Sequence, residues 1–141
     1  MGKALPERPS QLMRSRYAAF ALGLAPYLLE TLAAGHPDLG APRERLLREL
    51  ASLRDVRRFM GLRIAGEWIG EAGPDHGQVL FVARLFERGK NVGFAELSTF
   101  AREGERWRYA EGELVWLRDM SEAEARDLTR ESLRAVAARR T

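Results

Sequence analysis

The 141-residue sequence predicts an α+β fold in which helices cover an antiparallel sheet. Three observations predict it. The first part repeats its apolar residues at helical spacing, the middle alternates with a period of two, and the end turns helical again. The turns between the alternating segments are short and contain glycine, which favours a meander over parallel crossovers. The chain is also long enough to bury roughly 70% of the surface its unfolded form exposes, so the absence of Cys is no handicap. One domain over residues 1–141 is expected, with 119–141 as a helical extension.

The first helix is expected from Ser10, an N-cap behind Pro9, to Leu22, with Met13, Tyr17, Phe20 and Leu24 on one face and Gly23 as its stop. Pro26 suits the first turn of a second helix, Tyr27 to Ala33, closed by Gly35 and Pro37. Pro42 opens a third, whose stripe is Leu46, Leu47, Leu50 and Leu53. From Phe59 the period becomes two, and Met60, Leu62, Ile64 and Trp68 share a face of the first strand. The second strand, Gln78 to Arg88, is apolar on both faces and therefore central. The third is expected over Val92 to Arg102 and the fourth over Arg106 to Leu117. Ser121 with Glu124 forms a capping box that opens a last helix, with Ala125, Leu128, Ser132 and Val136 as its stripe. That helix either caps the sheet or meets another chain.

Charge narrows the function classes. The 23 basic residues nearly balance 20 acidic ones, and residues 119–141 are neutral, so there is no basic tail. Arg57, Arg58, Arg106 and Arg108 are the arginines a nucleic-acid accessory would use, but nucleic acid is not the expected partner. The stretch Met1 to Pro9 has no apolar leader core and no window approaches the ~18 apolar residues of a membrane span. A cytoplasmic location and no membrane partner are expected. Without Cys there is no thiolate metal site or cysteine nucleophile, and no phosphate-binding loop, dinucleotide fingerprint or nucleophile elbow occurs. No cofactor and no metal are expected.

The most informative position is Glu96. In the third strand Val92, Phe94, Glu96, Ser98 and Phe100 point to one side, so a carboxyl and a hydroxyl sit among aromatic rings. Burial there raises a carboxyl pKa and permits general acid or base chemistry. An internal ion pair with arginine is the competing reading. Arg14 and Arg16 flank the buried stripe of the first helix, and either can lay its stem on the core and turn its guanidinium toward Glu96. His36 and His76 both fall in loops without metal-ligand spacing, each beside an Asp. Trp68, Trp107, Trp116, Tyr17, Tyr27 and Tyr109 are enough to line a pocket, although strand aromatics more often fill a core. The candidate pocket residues are Arg14, Arg16, Tyr17, His36, Trp68, Glu96 and Ser98.

The sequence resembles the YchJ family, whose central domain has a nuclear transport factor 2-like fold. The resemblance rests on Pro9, the run Leu12-Met13-Arg14-Ser15-Arg16-Tyr17, Phe20, Tyr27-Leu28, Thr31 and His36-Pro37. It continues through Gly61-Leu62-Arg63-Ile64, Gly77 to Arg84, Glu96, Ser98, Phe100, Arg102-Glu103, Trp107, Tyr109 and Gly112. It implies a cone of helices and curved sheet over residues 9–118, a pocket within it, and often a dimer packed through the sheet. It implies no activity, because related folds serve as dehydratases, isomerases, cyclases or plain binding modules. Two departures stand out. Family members carry cysteine-rich SEC-C metal-binding segments, and this chain has no Cys. Leu80 and Ala95 replace polar residues of the family pattern, while Leu97 and Thr99 replace arginines, which implies a less polar pocket.

The expected function is non-catalytic binding of a small molecule or protein partner in a conical pocket. The alternative is a dehydratase or isomerase in which Glu96 or His36 moves a proton. A homodimer is expected because the outer sheet face would otherwise leave apolar area wet.

Overall fold

The structure is a computed structural model that describes residues 5–139. Its elements are α1 (Pro9–Leu22), α2 (Ala25–Glu30), α3 (Arg43–Val56), β1 (Arg57–Ile69), β2 (His76–Glu87), β3 (Lys90–Asn91), β4 (Phe94–Glu103), β5 (Arg106–Trp116), α4 (Glu122–Arg126) and α5 (Arg130–Ala138). The strands form a curved antiparallel sheet in the order β1-β2-β4-β5, with the short β3 paired to β2. Helices pack on both faces of this sheet.

Strand alternation builds two cores. On the inner face Val79, Phe81, Ala83, Leu85, Phe100 and Trp107 meet Leu12 and Met13 of α1. On the outer face Leu80, Val82, Ala95, Leu97 and Val115 meet Ala125, Leu133 and Val136 of the C-terminal helices and Leu128 between them. Helices of five and nine residues do not stand alone in water, so α4 and α5 owe their order to that burial, at about 2 kcal/mol for each large side chain.

This arrangement corrects several expectations. Leu80, Ala95 and Leu97 lie on the outer face, so these departures from the family pattern do not touch the inner face; they make an apolar bed for α4 and α5. The premise of a wet outer face is also overturned, because the chain covers that face itself. The single last helix is two: α4 keeps the Ser121–Glu124 capping box, and the chain restarts at Thr129, whose hydroxyl accepts from the Ser132 N–H. Leu133 therefore takes the buried position expected for Ser132.

The N-cap of helix α1 is Arg8, two residues before the expected Ser10, with Pro9 in the first turn, while the Ser10 N–H donates to Glu67. Its buried face is Leu12, Met13, Arg16 and Ala19, with Tyr17 half-buried beside it. Helix α2 stops at Glu30 because residues 31–33 leave to pair with the edge of β5. The Tyr109 N–H donates to Thr31 O at 2.7 Å and the Ala33 N–H to Tyr109 O at 2.8 Å. In β1, register shifts after Phe59 and after Ile64 break the alternation. Leu62 and Ile64 face inward, Met60 is exposed, and Trp68 is turned to the outer face.

Candidate functional site

Strand β4 sets the floor of the site. Glu96 and Ser98 point inward from it; Ser98 is fully buried and Glu96 is 8% exposed. The Ser98 hydroxyl donates a short hydrogen bond to Glu96 Oε2, and the Tyr109 hydroxyl donates to the same oxygen at 3.0 Å. Tyr109 reaches it through an irregularity in β5: Thr99 pairs with Glu111 but Phe100 pairs with Tyr109, so Ala110 is an extra residue. That bulge lets Tyr109 and Gly112, three positions apart, both face inward. Gly112 stands opposite Ser98, and a Cβ there would crowd Oε2 and come within 2.6 Å of the Tyr109 oxygen. The absent side chain at 112 is what leaves the carboxyl its room.

Helix α1 supplies the charge. Arg16 is 6% exposed, and its Nη1 donates to Leu28 O at 2.8 Å and to Thr31 Oγ1 at 2.5 Å. Leu28 O lies in the last turn of α2, where carbonyls lack helical partners, so the guanidinium serves as a cap. Its Cζ also stands 4.9 Å from the Tyr109 ring centre and 5.9 Å from that of Phe20. Burial pulls the Arg16 pKa down to about 10, which leaves it charged at neutral pH. Burial pushes the Glu96 carboxyl above its ordinary value, while the bonds from Ser98 and Tyr109 and the Arg16 charge pull the other way. Burial likewise raises the Tyr109 hydroxyl, helped by Glu96.

Between α1, the segment after α2 and the sheet lies an open pocket of about 290 Å³. Met13, Phe20, Leu32, Phe81 and Phe94 form its apolar walls, and Arg16, His36, Asp38, Glu96 and Tyr109 its polar end. His36 Nδ1 accepts from the Asp38 N–H at 3.0 Å, so its proton is assigned to Nε2, and its ring leans on Tyr109 at 5.9 Å. Among the described residues no hydrogen bond reaches Glu96 Oε1, yet that atom is not sealed from solvent. A carboxyl held by one oxygen and open through the other can exchange a proton or a hydrogen bond with a ligand.

The candidates divide accordingly. Arg16, His36, Glu96 and Ser98 come together here. Arg14 does not: it lies on the exposed side of α1, and its proposed pairing with Glu96 is absent. Tyr17 lines an adjoining cleft of about 80 Å³, where its hydroxyl accepts from the Gly61 N–H at 2.9 Å and its ring packs on Phe59. Trp68 belongs to the other face, under the Arg130 guanidinium at 3.9 Å. His76 opens β2, outside the pocket. Arg57 and Arg58 sit on one edge strand and Arg106 and Arg108 on the opposite one, and Arg57 is engaged with Glu87, so the four arginines make no common patch. Tyr109 is one of six aromatics offered as pocket lining, Gly112 enters only through the resemblance, and Asp38 only as a neighbour of His36; a bulge that turns Gly112 to the same side as Tyr109 has no periodic signal.

Residues 8–112 match the model of the YchJ middle NTF2-like domain. The chain belongs to the YchJ family. It is 39% identical over 111 residues to a UPF0225 protein of Enterobacter sp. (strain 638), covering 79% of this chain and 69% of that one. A UPF0225 protein of Bordetella pertussis is 40% identical over 103 residues, covering 73% and 69% of the two. Among solved structures, a SEC-C motif containing protein from Rhodopseudomonas palustris superposes with a TM-score of 0.67 at 31% identity, over 79% of this chain and 82% of that one. Another from Psychrobacter arcticus gives 0.62 at 22% identity, over 78% and 62%, and shows the fold alone.

The chain lacks Cys, and among the described residues no three His, Asp or Glu side chains gather to hold an ion. Among the described residues no helix is long and apolar enough to cross a membrane.

Proposed function

We propose that this YchJ-family domain binds a small molecule in the pocket above Glu96 without transforming it. The observation that carries the reading is the pocket itself: about 290 Å³, walled by aromatic and aliphatic side chains, with a buried carboxyl that keeps one oxygen open to it. The test is native mass spectrometry of the protein purified from its own host, beside Glu96→Gln. A molecule retained by the wild type and lost from the variant supports the reading; an empty protein in both forms removes it and turns attention to a protein partner.

A dehydratase or isomerase activity is the second reading, and one observation favours it. Glu96 is buried, its carboxyl is held above its ordinary value by that burial, and among the described residues it forms no ion pair, a state suited to general acid or base work. Incubating the retained molecule with fresh protein separates the two readings: unchanged ligand means binding, and a dehydrated or double-bond-shifted product means catalysis.

A cytoplasmic location and a homodimer belong to the same proposal. The dimer now rests on a smaller basis, the exposed Val56, Met60 and Phe86 and the position of β1 at the end of the sheet order. Sedimentation giving monomer alone removes it.

A further inference from the structure

We infer that the pocket's ligand is a small organic anion, an amphipathic carboxylic acid whose carboxylate meets the Arg16 guanidinium while its apolar body lies against Met13, Phe20, Phe81 and Phe94. The inference rests on the small-molecule reading above and adds the ligand's charge and shape.

Arg16 carries a positive charge into the protein without a counter-ion. It is 6% exposed, its two hydrogen bonds go to the neutral Leu28 O and Thr31 Oγ1, and among the described residues it enters no ion pair. A buried charge without an opposite charge is expensive, and an anion entering the pocket would supply one. Among the described residues Nε and Nη2 donate no hydrogen bond and neither is sealed from solvent, and the residue lines the pocket. Two adjacent guanidinium donors match the two oxygens of a carboxylate.

The other charged groups around the pocket do not replace that anion. Oε2 of Glu96 is already engaged by Ser98 and Tyr109, and burial favours its neutral form. Asp38 is exposed, and its influence on Arg16 ranks below those of Tyr109, Glu96 and Tyr27. Tyr109 contributes a hydroxyl already given to Glu96 and a ring against Arg16, and His36 Nδ1 is taken by the Asp38 N–H. A protonated Glu96 offers its Oε1 hydrogen to the same ligand carboxylate, whereas an ionised Glu96 repels it. A dianionic phosphate meets Asp38 and Glu96 with one arginine to hold it, and the aromatic walls give it nothing. A monoanion with an apolar body fits both ends of the site.

The experiment titrates the full chain with butyrate, hexanoate, 3-phenylpropionate and indole-3-acetate, each beside its neutral amide, by calorimetry at mildly acidic and mildly alkaline pH. The expected result is that at least one acid saturates and binds about tenfold tighter or more than its amide. Wherever Glu96 ionises within the range titrated, the affinity should fall as pH rises. Arg16→Gln should abolish the preference for acid over amide, and Arg16→Lys should keep part of it. Should either variant fail to fold, the acid-to-amide ratio of the wild type still decides. Amides that bind as well as their acids overturn the anion and leave the pocket standing. No saturation by any acid also overturns it, and native mass spectrometry then tells whether a neutral molecule occupies the site or the pocket reading falls too.

Discussion

Gly112 lies beneath the Glu96 carboxyl, and the space its missing side chain leaves is filled by Oε2 and the Tyr109 hydroxyl. Its backbone is not in the left-handed region, so the requirement for glycine is steric. Gly112→Ala is therefore expected to cost about 1–3 kcal/mol by overpacking and to displace Glu96 from its two donors. Urea denaturation measures the loss. A variant as stable as the wild type would show that the floor of the pocket gives way freely.

Glu96 itself should set a pH dependence of stability. Its folded pKa is raised, chiefly by burial, so the folded state holds the proton more tightly than the unfolded chain does. The stability gained is fully present below the unfolded carboxyl value and is lost as pH rises through the folded one. Glu96→Gln keeps an acceptor for Ser98 and Tyr109 but never ionises. Thermal unfolding across pH should show the wild type losing stability relative to this variant on the alkaline side. Parallel curves would mean that burial does not perturb Glu96.

Arg14 and Arg16 are two residues apart and should behave oppositely. Arg14→Ala is expected to change stability by no more than about 0.5 kcal/mol and to leave its pH dependence alone, because the side chain is exposed. Arg16→Ala removes the partner of Leu28 O and Thr31 Oγ1 and should destabilise clearly more. Equal effects would contradict the placement of Arg16 inside.

These contrasts mark what the sequence makes legible. The order of elements, the central position of β2 and the inward side of β4 follow from hydrophobic period, and with them Glu96 and Ser98. Period alone cannot choose between Arg14 and Arg16, since both flank the stripe and the buried face of α1 is centred one residue earlier than Met13, Tyr17 and Phe20 suggest. Bulges defeat it altogether. One in β1 carries Trp68 to the outer face, and one in β5, after Tyr109, turns Gly112 to the inward side that Trp107 and Tyr109 share by simple alternation. The pocket's other wall depends on residues 31–33 pairing with β5, a contact made across the sequence rather than along it.

The C-terminal helices provide the last test. Leu133 is fully buried on the outer face, and Leu133→Ala should cost about 2–5 kcal/mol by leaving a cavity there. The inner pocket lies on the opposite side of the sheet, so ligand retention should survive that variant at temperatures where it stays folded. A chain ending at Leu117 goes further and uncovers Leu80, Val82, Ala95, Leu97 and Val115 together. An apolar sheet face of that kind seeks another surface, so the shortened chain should self-associate where the full chain does so less, as read by sedimentation velocity. If both chains sediment alike and both stay folded, α4 and α5 are not what keeps the outer face from other molecules.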